Sequence, residues 1–216
     1  MRALIVFCHP CADSFNRAVR DVVLAKLAAA GAEVRLSDLY AKGFTPVLTW
    51  DEWKGYLTCP DNRAPVAGDV ADVTWCDTLI FVYPTWWYGL PAMLKGWLDR
   101  VLLPDVAFVM PDAQNANIRS KLGHINRFGV FTTCGASWWL TALVGAPGRR
   151  TLMRGVGFLL PWRARRVFAA HYLMDSSTPA SRARHLAVVA ARMDRLIGAG
   201  VVLPSAARAA AKEAAE

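Results

Sequence analysis

Several apolar runs in this chain do not alternate with polar residues. Ala3–Phe7 reads ALIVF, Thr78–Tyr83 reads TLIFVY and Phe128–Thr132 reads FGVFT. A strand with one wet face alternates, whereas an unbroken apolar run suits a strand covered on both faces. Ala32–Ser37 adds a short second strand, and Arg166–Leu173 (RVFAAHYL) a fifth. Helical patterns separate them. Ser14 precedes Phe15, Val19, Val22, Val23 and Leu27, and Gly31 follows as a stop. Further helices are expected at Trp50–Leu57, Asp69–Trp75, Pro91–Leu102 and Pro179–Ile197, with broken helix from Ser137 to Phe158. Strands alternating with helices specify an α/β fold with a parallel sheet. Right-handed crossovers then place helices on both faces. Segments 38–68 and 104–123 are irregular excursions.

Composition narrows the function classes. At 216 residues, 55% hydrophobic with nine Trp, the chain has ample material for a core and is not a disordered segment. The expected division is a single domain over 1–200 and an Ala-rich tail over 201–216. Net charge is +8, but the basic residues are scattered and no nucleic-acid-binding signature is present, so nucleic acid is not an expected partner. Phe128–Gly148 is uncharged for 21 residues but holds four Gly, a Pro and the polar run Thr132-Thr133-Cys134-Gly135. That reads as strand, turn and helix start rather than a membrane span. Five cysteines, an odd number, and an N-terminus that begins as a strand point to free thiols in the cytoplasm. No metal-ligand spacing is present.

Ligands of parallel α/β sheets bind at the carboxyl ends of the strands. After the first strand, Cys8-His9-Pro10-Cys11-Ala12-Asp13-Ser14-Phe15-Asn16 is a polar loop feeding a helix N-terminus, which favours an anion. Ser14 doubles as an N-cap. After the third strand, Pro84-Thr85-Trp86-Trp87-Tyr88-Gly89-Leu90-Pro91 carries three adjacent aromatics. These either fill a distorted core or line a flat apolar pocket. After the fourth, Thr132-Thr133-Cys134-Gly135-Ala136-Ser137 lets backbone donors approach closely, and Trp138-Trp139 follow. One crevice with a phosphate end and a flat-ring end has the shape of flavin mononucleotide.

These pieces, with Asp38-Leu39-Tyr40, Phe44-Thr45-Pro46-Val47-Leu48 and the run from Pro91 through Lys95-Gly96-Trp97-Leu98-Asp99-Arg100, resemble the flavodoxin-like NAD(P)H:quinone oxidoreductases. That group includes azoreductase-like relatives and flavoprotein partners of potassium-efflux systems. The resemblance spans residues 2–140 well and the remainder weakly. It implies a three-layer flavodoxin-like fold on a five-stranded parallel sheet. It implies FAD or FMN held by His9, Ser14, Phe15 and Asn16 at the phosphate, by Pro84, Thr85, Trp86 and Trp87 along the ring, and by Thr132, Thr133, Cys134 and Gly135 at the pyrimidine end. It implies two-electron, ping-pong transfer from NADH or NADPH to a quinone or other small aromatic acceptor, in a homodimer with the site at the interface.

Two departures matter. Cys134 stands where many relatives have Gly. No Tyr and His follow the loop, where some quinone reductases use them in proton transfer, so the sequence assigns no catalytic acid. Lys95 and Asp99 read as a surface ion pair, and His171 as a structural histidine. The arginines at 163–166 read as a solvated face, with attraction of the NADPH 2′-phosphate as the functional alternative. Two other functions stand beside the oxidoreductase: a flavoprotein subunit docking peripherally on a potassium-efflux-type transporter, and a thiol–disulfide enzyme built on Cys8 and Cys11.

Overall fold

The computed structural model describes residues 1–198; the tail expected over 201–216 lies outside them. In chain order the elements are β1 (Arg2–Phe7), α1 (Phe15–Ala29), β2 (Glu33–Asp38), α2 (Trp50–Lys54), α3 (Ala67–Trp75), β3 (Thr78–Thr85), α4 (Ala92–Val101), β4 (Phe108–Val109), β5 (Arg119–Ser120), β6 (Arg127–Cys134), α5 (Trp138–Leu143), α6 (Pro147–Arg150), β7 (Arg165–His171) and α7 (Pro179–Ile197). Five strands form the expected parallel sheet in the order β2-β1-β3-β6-β7. β4 and β5 form a small antiparallel ribbon inside the second excursion. The chain steps from β1 outward to β2 and then back across to β3, so strand order reverses between β1 and β3. That reversal opens a crevice at the sheet's carboxyl edge.

Both faces of the sheet are covered. Leu4, Val6, Leu79, Phe81, Phe128 and Val130 pack on one side with Val70 and Val73 of α3 and Leu94 and Trp97 of α4. Ala3, Ile5, Phe7, Ile80, Val82 and Phe131 pack on the other with Val19, Val23 and Leu27 of α1 and Val189, Met193 and Leu196 of α7. Period-2 alternation thus divides each apolar run between two cores. Among the described residues, no helix is long and apolar enough to cross a membrane.

The third strand runs on through Pro84 to Thr85 instead of ending before the proline, with Pro84 paired to Thr133. The Val82 carbonyl accepts from Cys8 N on the β1 side. Orientation alternates along a strand, so Pro84 also faces that side. β1 stops pairing at Phe7–Val82, and no ladder partner is left for the missing N–H.

The first irregular segment is pinned from beneath by α4. A Cβ on Gly96 would lie 2.1 Å from the Pro46 carbonyl oxygen, so α4 touches that backbone directly. Arg100 donates to the Thr45 carbonyl and pairs with Glu52. Trp97 Nε1 donates to Asp69 at 2.7 Å, and Asp69 also receives Ser37 Oγ and Lys42. Lys95 and Asp99 form the expected exposed pair at 2.6 Å. Gly96→Ala forces the helix and the Pro46 backbone apart. Urea denaturation of that variant is expected to show a loss of about 1–3 kcal/mol.

Candidate functional site

A cleft of about 760 Å³ opens at the carboxyl edge of the sheet. Its walls come from four loops: His9 after β1, Pro84–Tyr88 at the end of β3, Thr133–Ala136 at the end of β6, and Met174 and Asp175 after β7.

The aromatic wall is a tight turn. Gly89 N donates to the Trp86 carbonyl at 2.9 Å. The two central residues, Trp87 and Tyr88, have φ of 49° and 60°. Both central positions are left-handed, as in a type I′ turn, which favours Asn and Gly. Each bulky residue held there costs about 1–2 kcal/mol. Gly148 N donates to the Tyr88 carbonyl at 3.2 Å and holds the turn from behind. A Cβ on Gly148 would come within 3.1 Å of the Gly89 backbone. Trp86 is 42% exposed and Trp87 95%. Of the two uses open to adjacent aromatics, these two serve the surface, lining the cleft instead of filling the core.

The β6 loop presents a floor of small groups. Thr132, Thr133 and Cys134 are buried and Gly135 is exposed. A Cβ on Gly135 would lie 2.6 Å from Asp175 Oδ2, so any side chain there displaces the Asp175 carboxylate. One position earlier a side chain is accommodated: Cys134 Sγ lies 3.6 Å from Thr141 Oγ1. Thr85 and Thr132 share a hydroxyl–hydroxyl hydrogen bond of 2.9 Å across β3 and β6. Behind them is a chamber of about 20 Å³ into which the fully buried Tyr83 faces. Its hydroxyl has no partner among the described residues. The space suits one water, and burial raises the phenol's pKa.

The residues proposed for the phosphate end have separate positions. His9 lines the cleft. Cys11 N donates to its Nδ1 at 3.0 Å, and partial burial lowers its pKa. The ring is therefore neutral at pH 7, with Nδ1 turned to the Cys11 backbone, 3.0 Å from its N and 3.3 Å from its carbonyl. Ser14 Oγ caps α1 by accepting from Arg17 N at 3.2 Å. Phe15 packs edge-on against His171, ring centroids 5.3 Å apart. Asn16 is buried and donates through Nδ2 to Thr133 Oγ1 at 2.8 Å. It ties the β1 and β6 loops together from behind the cleft wall.

Cys8 is buried, and burial pushes its thiol up to about 12. It stays protonated at neutral pH and is a poor nucleophile beside the exposed Cys11. Of the arginines at 163–166, Arg163 and Arg165 are exposed, as on a solvated face; Arg163 lies over Trp162, and Arg165 and Arg166 donate to the carbonyls of Ile197 and Pro161. Tyr88 and Ala136, within loops the sequence pointed to, also line the cleft, as do Met174 and Asp175, which it did not point to. The strand-end rule applies equally to the loop after β7 and would have found the last two.

A sequence profile of the family described as flavodoxin-like fold matches residues 1–191. Ribosyldihydronicotinamide dehydrogenase (quinone) of Pongo abelii is 35% identical over 126 residues, 51% of this chain and 54% of that protein. NAD(P)H dehydrogenase (quinone) 1 of Cavia porcellus is 34% identical over 123 residues, 50% of this chain and 45% of that protein. The chain thus spans about half the length of the curated relatives it matches. Among solved structures, Smu.1420 of Streptococcus mutans UA159 superposes with a TM-score of 0.74 at 26% identity, covering 89% of this chain and 98% of that one. The NAD(P)H:quinone oxidoreductase of Methanothermobacter marburgensis has a TM-score of 0.75 at 24% identity, covers 89% and 97%, and shares the fold.

Behind Phe15, His171 and His185 stand edge-to-face with centroids 5.1 Å apart. Burial, then the neighbouring His171, lowers His185 to about 4, and burial also lowers His171. Both are therefore neutral in the fold at pH 7. Between about pH 6.5 and 4 the unfolded chain binds the proton that folded His185 refuses, so stability falls as pH falls through that window. Chemical denaturation from pH 7 to 4 is expected to show a loss on the order of 2–3 kcal/mol from this residue, and His185→Gln should flatten the decline.

Proposed function

Since the chain belongs to the flavodoxin-like fold family, we propose that it is a flavin-dependent NAD(P)H oxidoreductase that reduces a quinone or similar small aromatic acceptor by two electrons. The observation that carries this reading is the cleft itself. Its exposed aromatic wall, glycine-floored opposite side and helix-capped loop converge at the switch point of the sheet. The quinone dehydrogenase names of the curated relatives support the same reaction class.

The residues present fit a flavin. A volume of about 760 Å³ admits a flat tricyclic ring with its side chain. Trp86 offers an apolar surface, and Gly135 carries no side chain into the cleft. Bound flavin, as FMN or FAD, supplies hydride acceptance from a reduced nicotinamide and delivery of two electrons to an acceptor. The protein's work is binding and electrostatics. The His9 ring and the first N–H groups of α1 favour the phosphate. Asn16 holds the Thr133 hydroxyl and so fixes the β6 loop. Backbone donors of Thr133–Gly135 stabilise negative charge at the pyrimidine end. Trp87, Trp86 and Tyr88 keep water from the ring edge.

Trp138, Trp139, Leu143, Phe158 and Trp162 are exposed on the segment that follows the β6 loop. This much apolar surface beside a cleft favours a homodimer that closes over it. Five unpaired cysteines suit the reducing cytoplasm.

Purified protein is expected to bind FMN or FAD, with flavin bands between 300 and 550 nm and bleaching by NADH or NADPH. Chromatography of the heat-released chromophore identifies the flavin. A chain that takes up neither flavin overturns the reading. Trp87→Gly is expected to raise stability by about 1 kcal/mol, because glycine adopts φ near +50° without strain. The same change should weaken flavin binding several-fold in a fluorescence titration.

A further inference from the structure

The segment after the β6 loop is wound irregularly. Ala146 is left-handed at φ 47° and starts α6, and the helix then passes into a π-helical turn over Thr151–Val156. The i→i+5 bonds of a π turn bring residues five apart over one another, and such turns recur at functional sites. Here Arg149 lies in α6 and Arg154 within the π turn. With Arg150, these residues line a pocket of about 240 Å³ together with Ala146 and Met153. The pocket lining contains no carboxylate. Among the described residues, none of the three guanidiniums has an ion-pair partner; every arginine–carboxylate pair involves other residues. Arg149 is held over the Phe168 ring at 4.8 Å, and Arg150 Nη1 lies beside Gly145. Three cations share one concave site with nothing to neutralise them.

The pocket adjoins the cleft. Arg149 also lines the small chamber behind Thr85 and Tyr88, and both of those residues line the cleft. The hydrogen bond from Gly148 N to the Tyr88 carbonyl joins α6 to the aromatic turn.

We propose that Arg149, Arg150 and Arg154 form a binding site for a phosphate monoester, the 2′-phosphate of NADPH, and so select NADPH over NADH. The inference rests on the oxidoreductase reading for the identity of the nucleotide. A phosphate monoester carries between one and two negative charges at pH 7 and three acceptor oxygens. Guanidiniums match it with forked, charge-assisted hydrogen bonds. NADH presents only a hydroxyl at that position and leaves the three charges unmet. The 163–166 arginines line neither the cleft nor this pocket, whereas the three arginines of the α6–π segment share it.

Calorimetry of the full chain with 2′,5′-ADP and with 5′-AMP, each with and without saturating flavin, reads the site directly. The expected result is binding of 2′,5′-ADP tighter than 5′-AMP by about ten-fold or more. Arg150→Ala/Arg154→Ala should erase that difference and leave flavin titration unchanged. The NADPH-to-NADH ratio of kcat/KM should fall by the same factor. Equal affinity for the two nucleotides, or a preference that survives the double variant, overturns the proposal. Inorganic phosphate binding as tightly as 2′,5′-ADP overturns the assignment to a nucleotide. Failure to bind flavin while the nucleotide preference persists removes the oxidoreductase reading and leaves the arginine site standing.

Discussion

Because helices cover both faces of the central strands β1, β3 and β6, the polar side chains of those strands collect at their ends, whereas the edge strand β2 carries Arg35 in its middle. The hydrogen-bonding chemistry of the central strands therefore gathers at one edge. Thr132 and Thr133 are polar, but they occupy the last rungs of β6 beside Tyr83 and Pro84. Asn16 is buried, yet it sits at the first turn of α1, where it reaches Thr133. The cleft needs no special device to exist; it is where a two-faced sheet runs out of neighbours at the reversal of strand order.

Much of this was legible in the residues. ALIVF and TLIFVY could hardly be anything but strands buried on both sides, and Pro179–Ile197 was readable as a helix end to end. The extension of β3 through Pro84 was not legible, because it depends on β1 pairing no further than Val82, a tertiary fact. The separate positions of Ser14, Phe15 and Asn16 were hidden for a related reason. Consecutive residues at a helix start point in different directions, so a motif that is contiguous in sequence becomes a cap, a core contact and an inter-loop tie. The π turn was invisible to a 3.6-residue pattern. The pocket shared by Arg149, Arg150 and Arg154 went unread, while the denser triplet at 163–166 drew attention and lines neither that pocket nor the cleft.

The aromatic turn and its supports form one mechanical unit. Trp87 and Tyr88 are held in a conformation that their own side chains disfavour. The restraint comes from the Gly148–Tyr88 hydrogen bond and from two glycines, 89 and 148, whose backbones touch. On the far side, Gly96 against Pro46 fixes the helix that leaves the turn. Strain at the cleft wall is offset by close backbone contacts on both sides of it, which keeps the aromatic surface in place before any ligand arrives.

The winding at Thr151–Val156 has a consequence for descent. A π turn is one residue more than an α-helix of the same rise would hold, so it marks a place where lineages can differ by a single codon without losing the helix. Removing that residue would restore α periodicity and turn Arg154, which lies within the π turn, to a different side of the helix. Close relatives of this protein could thus gain or lose the cationic group by insertion or deletion alone, on a scaffold that stays the same.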